Sequence, residues 1–183
     1  ELIYGCMFSG KTKKLISRYN ELKDKYNCLV INYIYDKRYT NENKIVSHDN
    51  DLIDCLCVEK LEEITSTIEN LNKLYNAEYV LINEAQFFSN LKNWVLYAKN
   101  TLNKNVIVSG LDLNYKREKF GQILDLTINA TKTFRMLGKC KYCSNASLYT
   151  HRIVNNESLV LIGSDEYVPL CEECWNKKKF LFK

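Results

Sequence analysis

The sequence has very little of the two residues that most often interrupt regular structure. One proline and six glycines stand among 183 residues, which argues against a collagen-like chain and against a disordered chain of low complexity. Apolar residues make up 46% and charged residues 26%, as in ordinary globular proteins. The length suffices for one domain with a real core and a small appended lobe, and it excludes a large multidomain protein.

A strong charge excess and a long apolar run are also missing. Lys and Arg number 26 against 22 Asp and Glu, so the formal charge of +4 falls short of the excess expected of a dedicated nucleic-acid-binding protein. No stretch approaches the roughly 20 apolar residues of a membrane-spanning helix, and the N-terminus has no signal-peptide pattern. We therefore expect a cytoplasmic protein.

Cysteine, in contrast, is abundant, and half of the eight cysteines are ordered. Four have no framework spacing, namely Cys6, Cys28, Cys55 and Cys57. The others form two CxxC pairs, Cys140 with Cys143 and Cys171 with Cys174. Two such turns bring four thiolates to one tetrahedral zinc ion, which agrees with an intracellular chain that carries few disulfides.

Short apolar runs alternate with helical periodicity through the first part of the chain. Runs at residues 2–4, 28–31, 79–82 and 106–108 predict buried strands, and apolar spacing over about residues 15–22, 61–76 and 89–103 predicts helices. Parallel strands need such crossovers and bury both faces. The sequence therefore predicts an α/β domain, a mostly parallel sheet flanked by helices.

The pattern changes after residue 130. Short β-rich runs at residues 131–137, 146–154 and 159–162 are interrupted by the two CxxC turns, and a segment this short needs a metal to fold. We expect residues 1–130 to form the α/β domain and residues 131–183 to form a small β-rich zinc-binding lobe.

Residues 5–12 match the phosphate-loop pattern GxxxxGK[ST] in full, between a predicted strand and a predicted helix. The backbone N–H groups of such a loop point inward at phosphates, which requires glycine where the chain turns sharply. Lys11 would reach the β- and γ-phosphates, and the Thr12 hydroxyl would bind Mg²⁺. The phosphate-binding residues predicted here are Gly5, Met7, Phe8, Ser9, Gly10, Lys11 and Thr12.

Two polar residues follow the predicted strand at residues 79–82. Glu84 would lie near the phosphate loop at the carboxyl edge of the sheet, where a carboxylate can accept the proton of an attacking hydroxyl. The alternative is a solvated glutamate at a helix start. Asn83 stands where a P-loop enzyme usually carries aspartate, so it can hydrogen-bond the waters of a metal but adds no charge.

A series of motifs, in this order along the chain, resembles the type II thymidine kinase family. The motifs are Met7–Thr12 (MFSGKT), Asp36–Tyr39 (DKRY), Ser47–Asp49 (SHD), Glu84–Phe88 (EAQFF), Gly110–Asp112 (GLD), Arg117, Phe120–Gly121, the CxxC pairs and Ile162–Gly163. The likeness covers nearly the whole chain. It implies an enzyme of nucleotide salvage that transfers the γ-phosphoryl group of ATP–Mg²⁺ to the 5′-hydroxyl of thymidine or deoxyuridine.

The resemblance implies roles at the phosphate end of the site. Glu84 would be the catalytic base that takes the proton of the 5′-hydroxyl. Asp36 and Arg38 would lie beside the phosphates and the metal, with Arg38 countering the charge that develops during transfer. Asn83 and Gln86 would lie near the ATP phosphates.

The resemblance also implies a nucleoside pocket with apolar faces and a few directed hydrogen bonds. A lasso segment, residues 159–167, would close over the base and exclude water. The expected nucleoside-binding residues are Met7, Phe87, Leu111, Tyr115, Arg117, Phe120, Thr150, Leu159, Leu161, Ile162, Gly163 and Tyr167. Tyr115 stands where phenylalanine is common, so its hydroxyl needs a partner. For Arg117, a surface ion pair is an equally good interpretation.

The remaining expectations concern zinc and partners. Four thiolates leave no open position for water, so the zinc should be structural, although the CxxC pattern alone also fits a nucleic-acid-binding zinc ribbon. The family resemblance implies a homotetramer and feedback inhibition by dTTP. We expect no membrane partner and no nucleic-acid partner.

Two other functions stay open at this point. A P-loop ATPase or GTPase switch would use the same phosphate loop, although the aromatic pocket residues speak against it. A nucleotide-binding protein with degenerate catalysis would explain Asn83, although the presence of Lys11, Thr12 and Glu84 speaks against that.

Overall fold

The computed structural model describes residues 1–36, 43–46 and 51–181, with side chains described as far as residue 177. Arg38 and the SHD motif at residues 47–49 lie outside these ranges. The strands are β1 (Leu2–Gly5), β2 (Cys28–Tyr33), β3 (Lys44–Val46), β4 (Leu52–Asp54), β5 (Leu56–Val58), β6 (Tyr79–Ile82), β7 (Asn105–Gly110), β8 (Thr133–Met136), β9 (Gly138–Lys139), β10 (Ala146–Ser147), β11 (Tyr149–Arg152) and β12 (Tyr167–Leu170). The helices are α1 (Lys11–Leu22), α2 (Ile68–Asn76), α3 (Leu91–Asn100) and α4 (Glu172–Leu181), with 3₁₀ turns at Leu61–Thr65, Ala85–Phe87 and Leu124–Asn129.

Six strands form the central sheet in the order β5-β2-β6-β7-β1-β8. Every pairing in this sheet is parallel. Helices α1, α2 and α3 lie in three of the connections, whereas β3 and β4 lie between β2 and β5, and a 3₁₀ turn lies between β7 and β8. The predicted α/β class is thereby confirmed. The order places β1 and its phosphate loop beside β7, with β6 as the next strand along. The carboxyl ends of these three strands therefore meet at one edge of the sheet.

Two hydrophobic clusters cover the two faces of the sheet. On one face, α1 buries Leu15 and Ile16 against Ile3 and Leu81 of the strands. On the other face, α2 and α3 bury a set that includes Leu74, Leu91 and Trp94. Because both faces are covered, the strands read as nearly continuous apolar runs rather than as alternating ones.

The segment predicted as one helix over residues 61–76 forms two separate elements. A 3₁₀ turn ends at Thr65, and α2 begins after Thr67, whose Oγ1 accepts a hydrogen bond from the backbone N–H of Asn70. The Ser66 hydroxyl donates to the carbonyl of Glu63. Short hydroxyl side chains bind nearby backbone groups in place of helical bonds, so this cluster interrupts the helix that the apolar spacing predicted.

The run at residues 131–137 forms a strand, but in a different sheet from the one expected. β8 pairs in parallel with β1 and so extends the central sheet rather than the zinc lobe. A β-rich pattern does not specify the strand with which a segment pairs. Here β8 pairs with the side of β1 that faces away from β7. The division of the chain after residue 130 remains a prediction.

The zinc lobe consists of two short antiparallel pairs followed by α4. β9 pairs with β10, and β11 pairs with β12. The strand predicted at residues 159–162 does not form. Because β11 pairs directly with β12, residues 153–166 only connect these two strands. In the described structure, this connection is not part of any β-sheet. Within the described ranges, no helix is both long enough and apolar enough to cross a membrane.

Candidate active site

The phosphate loop folds back on itself between β1 and α1. Phe8 has φ 62° and Gly10 has φ 82°, so the chain makes two left-handed turns just before the helix starts. The Lys11 ammonium donates to the carbonyl of Cys6 over 2.6 Å, and the Ser9 hydroxyl donates to the same oxygen over 2.8 Å. The loop thus ends at the positive end of the α1 dipole, where backbone N–H groups can bind an anion.

Glu84 lies directly after β6 and is held by its neighbour Gln86. Its backbone is left-handed, with φ 48° and ψ 37°, and only 7% of the residue is exposed, unlike the solvated glutamate of the alternative interpretation. The Gln86 amide donates to Glu84 Oε2 over 2.7 Å, and Gln86 Oε1 accepts from the backbone N–H of Leu111 over 2.9 Å. One carboxamide therefore ties the end of β6 to the end of β7 and orients the carboxylate.

Gly121 packs closely against the backbone of Gln86. Its φ is 57°, and a Cβ at this position would overlap the backbone carbonyl of Gln86. Only glycine combines this left-handed backbone with so close an approach. The Phe120–Gly121 pair that contributed to the family resemblance therefore has a structural reason.

A neutral amide pair occupies the position where P-loop proteins usually carry aspartate. Asn83 and Asn32 are each 2% exposed, at the ends of the neighbouring strands β6 and β2. The Asn83 Nδ2 donates to Asn32 Oδ1 over 3.0 Å. This bond uses one donor of Asn83 and leaves its Oδ1 able to accept a hydrogen bond, for example from metal-bound water.

A pocket lies between the sheet edge and the zinc lobe and encloses an empty volume of about 520 Å³, including its open mouth. The residues that line it are Met7, Asp36, Glu84, Phe87, Leu111, Leu113, Asn114, Tyr115, Phe120, Thr150, Leu159, Val160, Leu161, Ile162, Gly163 and Tyr167. The set brings together Met7 of the phosphate loop, Glu84 and the lasso segment. Apolar walls with a few polar groups are typical of small-ligand sites.

Three lining residues were missed by the sequence analysis, namely Leu113, Asn114 and Val160. Each lies beside residues that were predicted, but none belongs to a recognisable motif. Their sequence neighbours were the only available signal. A search over whole segments, rather than over motif residues, would have found them.

The aromatic wall of the pocket is fixed by rings from the core. Phe87 stacks on Tyr33 with 4.7 Å between ring centroids, and it meets Phe120 edge to face at 5.5 Å. Such pairs hold ring planes at defined angles. Phe87 therefore presents a fixed apolar surface to whatever occupies the pocket.

The zinc lobe contacts the phosphate loop directly through Thr150. The Thr150 Oγ1 accepts a hydrogen bond from the backbone N–H of Met7 over 2.9 Å. Next to it, the Cys6 thiol lies 3.4 Å from the hydroxyl of Ser147. The predicted pocket residue Thr150 is thus placed by a bond that also couples the two parts of the protein.

Arg117 is placed away from the pocket, at the zinc lobe. Its Nη2 donates to the Tyr149 hydroxyl over 2.7 Å and to the Glu172 carboxylate over 3.1 Å. Its guanidinium lies 3.8 Å from the ring centre of Tyr149 and 4.7 Å from that of Trp175. Hydrogen bonding from Tyr149 together with the charge of Arg117 lowers the pKa of Glu172 below its ordinary value. This geometry supports the ion-pair interpretation.

The four ordered cysteines meet at one point of the zinc lobe. The Sγ atoms of Cys140, Cys143, Cys171 and Cys174 all lie within 4.8 Å of one another. The Cys143 Sγ lies 3.5 Å from the Cys171 Sγ and 3.7 Å from the Cys174 Sγ. These separations are close to the roughly 3.8 Å between sulfurs that each lie about 2.3 Å from a tetrahedral zinc ion. The donor set and its spacing therefore fit a closed Zn²⁺ site.

The protonation of these thiols also fits a metal site. Burial tends to raise the pKa of Cys140, but backbone N–H groups of Cys171 and Tyr142 outweigh it, so that this pKa falls to about 6. The pKa of Cys174 is raised to about 12 by burial and by the neighbouring thiols. The raised pKa of Cys174 opposes its ionisation beside the other sulfurs, and a divalent cation bound there would supply the compensating charge.

These features define a class of protein. A parallel sheet carries a phosphate loop at the start of α1 and a buried carboxylate at the adjacent strand end, and such an arrangement belongs to the P-loop nucleotide-binding proteins. The thymidine kinase family model matches residues 1–175. The chain belongs to the thymidine kinase family.

Individual relatives agree along nearly the whole chain. A thymidine kinase of Yaba monkey tumor virus (strain VR587) is 35% identical over 180 residues, which cover 96% of this chain and 93% of the relative. A thymidine kinase of Choristoneura fumiferana entomopoxvirus is 30% identical, with 97% and 96% covered. Thymidine kinase 1 of Dictyostelium discoideum is 31% identical over 96% of this chain and 77% of the relative.

Proposed function

We propose that this protein is a thymidine kinase that transfers the γ-phosphoryl group of ATP to the 5′-hydroxyl of thymidine, giving dTMP for nucleotide salvage. Membership of the family supports the phosphotransferase activity. The observation that carries the specific reaction is the pocket itself, because Glu84, the phosphate-loop residue Met7 and an apolar aromatic wall line the same space. The 5′-hydroxyl of a bound nucleoside can therefore lie close both to the Glu84 carboxylate and to the phosphates of a bound ATP.

Glu84 acts in this proposal as the general base. Its Oε2 accepts from the Gln86 amide, which holds the carboxylate in one orientation while its other oxygen can accept the proton of the 5′-hydroxyl. The transfer itself needs positioning and charge stabilisation more than covalent chemistry from the protein. Lys11 and the backbone of the loop at residues 5–12 supply that positive environment.

Mg²⁺ fits the polar groups at the sheet edge. The Thr12 hydroxyl would bind the ion, and the Asp36 carboxylate and the Asn83 amide oxygen would bind the ion or its waters. These are the hard oxygen donors that Mg²⁺ prefers. When bound, Mg²⁺ neutralises phosphate charge. Asn83 contributes a dipole where aspartate would contribute a full charge, so we expect the ion to bind less tightly here. Arg38 stays a proposed phosphate ligand.

The nucleoside side of the site would use the aromatic wall and the lasso segment. Phe87 and Phe120 would enclose the planar base, and Thr150 lies where its hydroxyl meets both the loop and the pocket. The lasso segment, of which residues 159–163 and Tyr167 line the pocket, would exclude water from the reacting groups. Deoxyuridine differs from thymidine by one methyl group, so we expect it to be accepted, with a preference limited to what one methyl group contributes.

The family resemblance further supports a homotetramer, feedback inhibition by dTTP and a cytoplasmic location. Light scattering coupled to gel filtration would test the tetramer. Inhibition of thymidine phosphorylation by added dTTP would test the feedback. Both are independent of the assignment of the catalytic base.

The deciding experiment is a coupled assay of ADP release from ATP–Mg²⁺ with thymidine, with each other common nucleoside and with none. Thymidine-dependent turnover with formation of dTMP is the expected result. Nucleoside-independent hydrolysis would favour a P-loop ATPase. Intact ATP binding without any turnover would favour a nucleotide-binding protein in which Asn83 has removed catalysis.

A further inference from the structure

One buried arginine holds the backbone of the connection between β11 and β12. Arg152, the last residue of β11, is 6% exposed. Its Nη1 donates to the carbonyls of Asn156 and Ser158 over 2.7 and 2.5 Å. Its Nη2 donates to the carbonyl of Leu159 over 3.3 Å and to the Tyr167 hydroxyl over 2.6 Å. These four neutral acceptors match the four Nη hydrogens of a guanidinium.

Two tyrosines complete the arrangement. The Tyr115 ring centre lies 3.8 Å from the guanidinium carbon of Arg152, and that of Tyr167 lies at 5.2 Å, distances at which a cation is attracted to an aromatic face. The Tyr167 hydroxyl donates onward to the carbonyl of Leu161, and the Tyr115 hydroxyl donates to that of Glu157. Five carbonyls between residues 156 and 161 are thus bound by this Arg152 cluster, which consists of Arg152, Tyr115 and Tyr167.

The other described contacts of this segment are local or partial. It belongs to no strand, the amides of Asn156 and Ser158 bond within the turn, and Leu161 packs against a small hydrophobic cluster of the pocket, whereas Leu159 is 50% exposed and Val160 is 43% exposed. A guanidinium is costly to bury without acceptors, and carbonyls are costly to bury without donors. Each therefore depends on the other, so the cluster favours one conformation of the segment over many.

The segment held in this way forms one wall of the pocket. Leu159 and Leu161, whose carbonyls bind the cluster, line the pocket, whereas Arg152 is not among the described residues that do so. Any effect of Arg152 on a bound nucleoside must therefore act through the segment. Tyr115 connects the cluster to the pocket directly, because its side chain lines the pocket and its ring also covers the guanidinium.

We propose that Arg152 is a positioning residue that holds residues 156–161 in the pocket-closing conformation and thereby sets the affinity for nucleoside. The second half of this statement rests on the proposed thymidine kinase function, whereas the first half concerns the free protein. These bonds are made within the protein and use no group of the nucleoside, so they favour the closing conformation by themselves and reduce the ordering cost of closure.

Two measurements on Arg152→Gln test the proposal. Hydrogen exchange of the ligand-free protein, followed by mass spectrometry, should show faster exchange at the amides of Asn156 and Ser158, which bond to Val154 O and Asn156 Oδ1. Steady-state kinetics should show a KM for thymidine raised roughly 10- to 100-fold, with the KM for ATP and kcat changed by less than about threefold. Arg152→Lys should recover only part of the loss, since an ammonium lacks the planar fork.

Arg18→Gln is the control, since Arg18 is a partly buried arginine of α1 that binds Glu1 and Glu21 and does not line the pocket. It should leave the KM for thymidine and the exchange of residues 156–161 unchanged. Unchanged exchange and KM in Arg152→Gln would overturn the proposal, as would faster exchange throughout β11, β12 and α4, which would show a general structural role. If the wild-type protein has no thymidine-dependent turnover, the proposed function fails, while the exchange measurement still decides whether Arg152 holds the segment.

Discussion

The phosphate loop and the lasso segment enclose the same pocket but are held in place in different ways. The phosphate loop joins β1 to α1, two elements buried in the core of the central sheet, and its own backbone and side chains close it. The lasso segment belongs to the connection between two short strands of a lobe, whose described hydrophobic cluster comprises the buried residues Cys140, Val168, Leu170 and Cys171. Its shape depends on four thiols, one arginine and two tyrosines.

Because they are held in different ways, the phosphate loop and the lasso segment should respond differently to single substitutions. The stability of a large core is distributed over many contacts, whereas the stability of a small lobe depends on a few strong ones, such as a metal site or a buried charge. We therefore expect ATP binding to be robust and nucleoside binding to be sensitive. The bond between Met7 and Thr150 is the place where the two halves can affect each other.

The largest effect is expected at the chemical step, which both halves must serve. Glu84→Gln should lower kcat about 10²- to 10⁴-fold, because an amide cannot take the proton of the 5′-hydroxyl. Calorimetric titrations should still show binding of ATP and of thymidine. Glu69→Gln, at an exposed position on α2, serves as control. Wild-type turnover in Glu84→Gln would eliminate this residue as the base.

Removal of the metal should separate the two halves most clearly. Cys171→Ser or a zinc chelator should destabilise the lobe and weaken thymidine binding at least about tenfold, since the binding energy of a structural zinc is also folding energy. ATP affinity should change much less. Paired calorimetric titrations measure both, with Cys28→Ser, outside the cluster, as control. Equal losses for both ligands would contradict the independence of the two halves.

The contact between the halves can be tested at Thr150. Thr150→Val removes the acceptor of the buried Met7 N–H and should destabilise the protein by about 1–3 kcal/mol. Here both KM values should rise, because the bond orders the phosphate loop as well as the lobe. Thr150→Ser keeps the hydroxyl and should behave nearly as wild type in thermal unfolding and kinetics. An effect of Thr150→Val on thymidine alone would show that the phosphate loop does not need this bond.

A smaller effect is expected at the metal edge of the sheet. Asn83→Asp adds a charge near the bound ion and should lower the Mg²⁺ concentration for half-maximal activity by a factor of about 3 to 10. Asn32 would have to turn its amide to donate to the new carboxylate. Competition between Mg²⁺ and Mn²⁺ in the ATP-bound protein measures the affinity directly, and Asn93→Asp on α3 is the control. Unaltered Mg²⁺ dependence would show that Asn83 does not influence the ion.

The smallest effect is expected from the Arg117 contact on the outside of the lobe. The pKa of Glu172 is lowered in the folded protein from an ordinary value of 4.5 by the Tyr149 hydroxyl and by Arg117. Stability from this contact is therefore fully present above pH 4.5 and is lost as the pH falls through the lowered pKa. Denaturation of Glu172→Gln should show a slightly weaker loss of stability below pH 4.5 than wild type. Identical curves would show that the exposed pair contributes nothing.

The sequence predicted the fold class well because the central sheet obeys local rules. Apolar runs of strand length and apolar residues at helical spacing each predict the element that forms in the same segment. The phosphate loop is recognised from eight consecutive residues. The predictions that were wrong concern strand pairing between segments that are far apart in the sequence. Nothing in Thr133–Met136 says that it pairs with β1, and nothing in residues 159–162 says that β11 and β12 pair without them.

The same division runs through the candidate site. The lining residues on motifs, such as Met7, Glu84 and Phe87, were predicted by the family resemblance. Arg117 was expected at the pocket, but the described structure places it against Tyr149 and Glu172. Arg152 carries no motif, and its importance becomes visible only when its acceptors, four to fifteen residues away along the chain, are seen together.

The parallel α/β core, the phosphate loop and the cluster of four cysteines could be predicted from the order of residues, because each is encoded by spacing within a short segment or by a pair of turns. Three other features arise from folding: β8 extends the central sheet, Asn83 pairs with Asn32, and a buried guanidinium binds the carbonyls of the connection between β11 and β12. These outcomes depend on which donors, acceptors and strand edges become neighbours after folding. Buried polar groups must find partners, and the fold, not the order of residues, determines which partners are within reach.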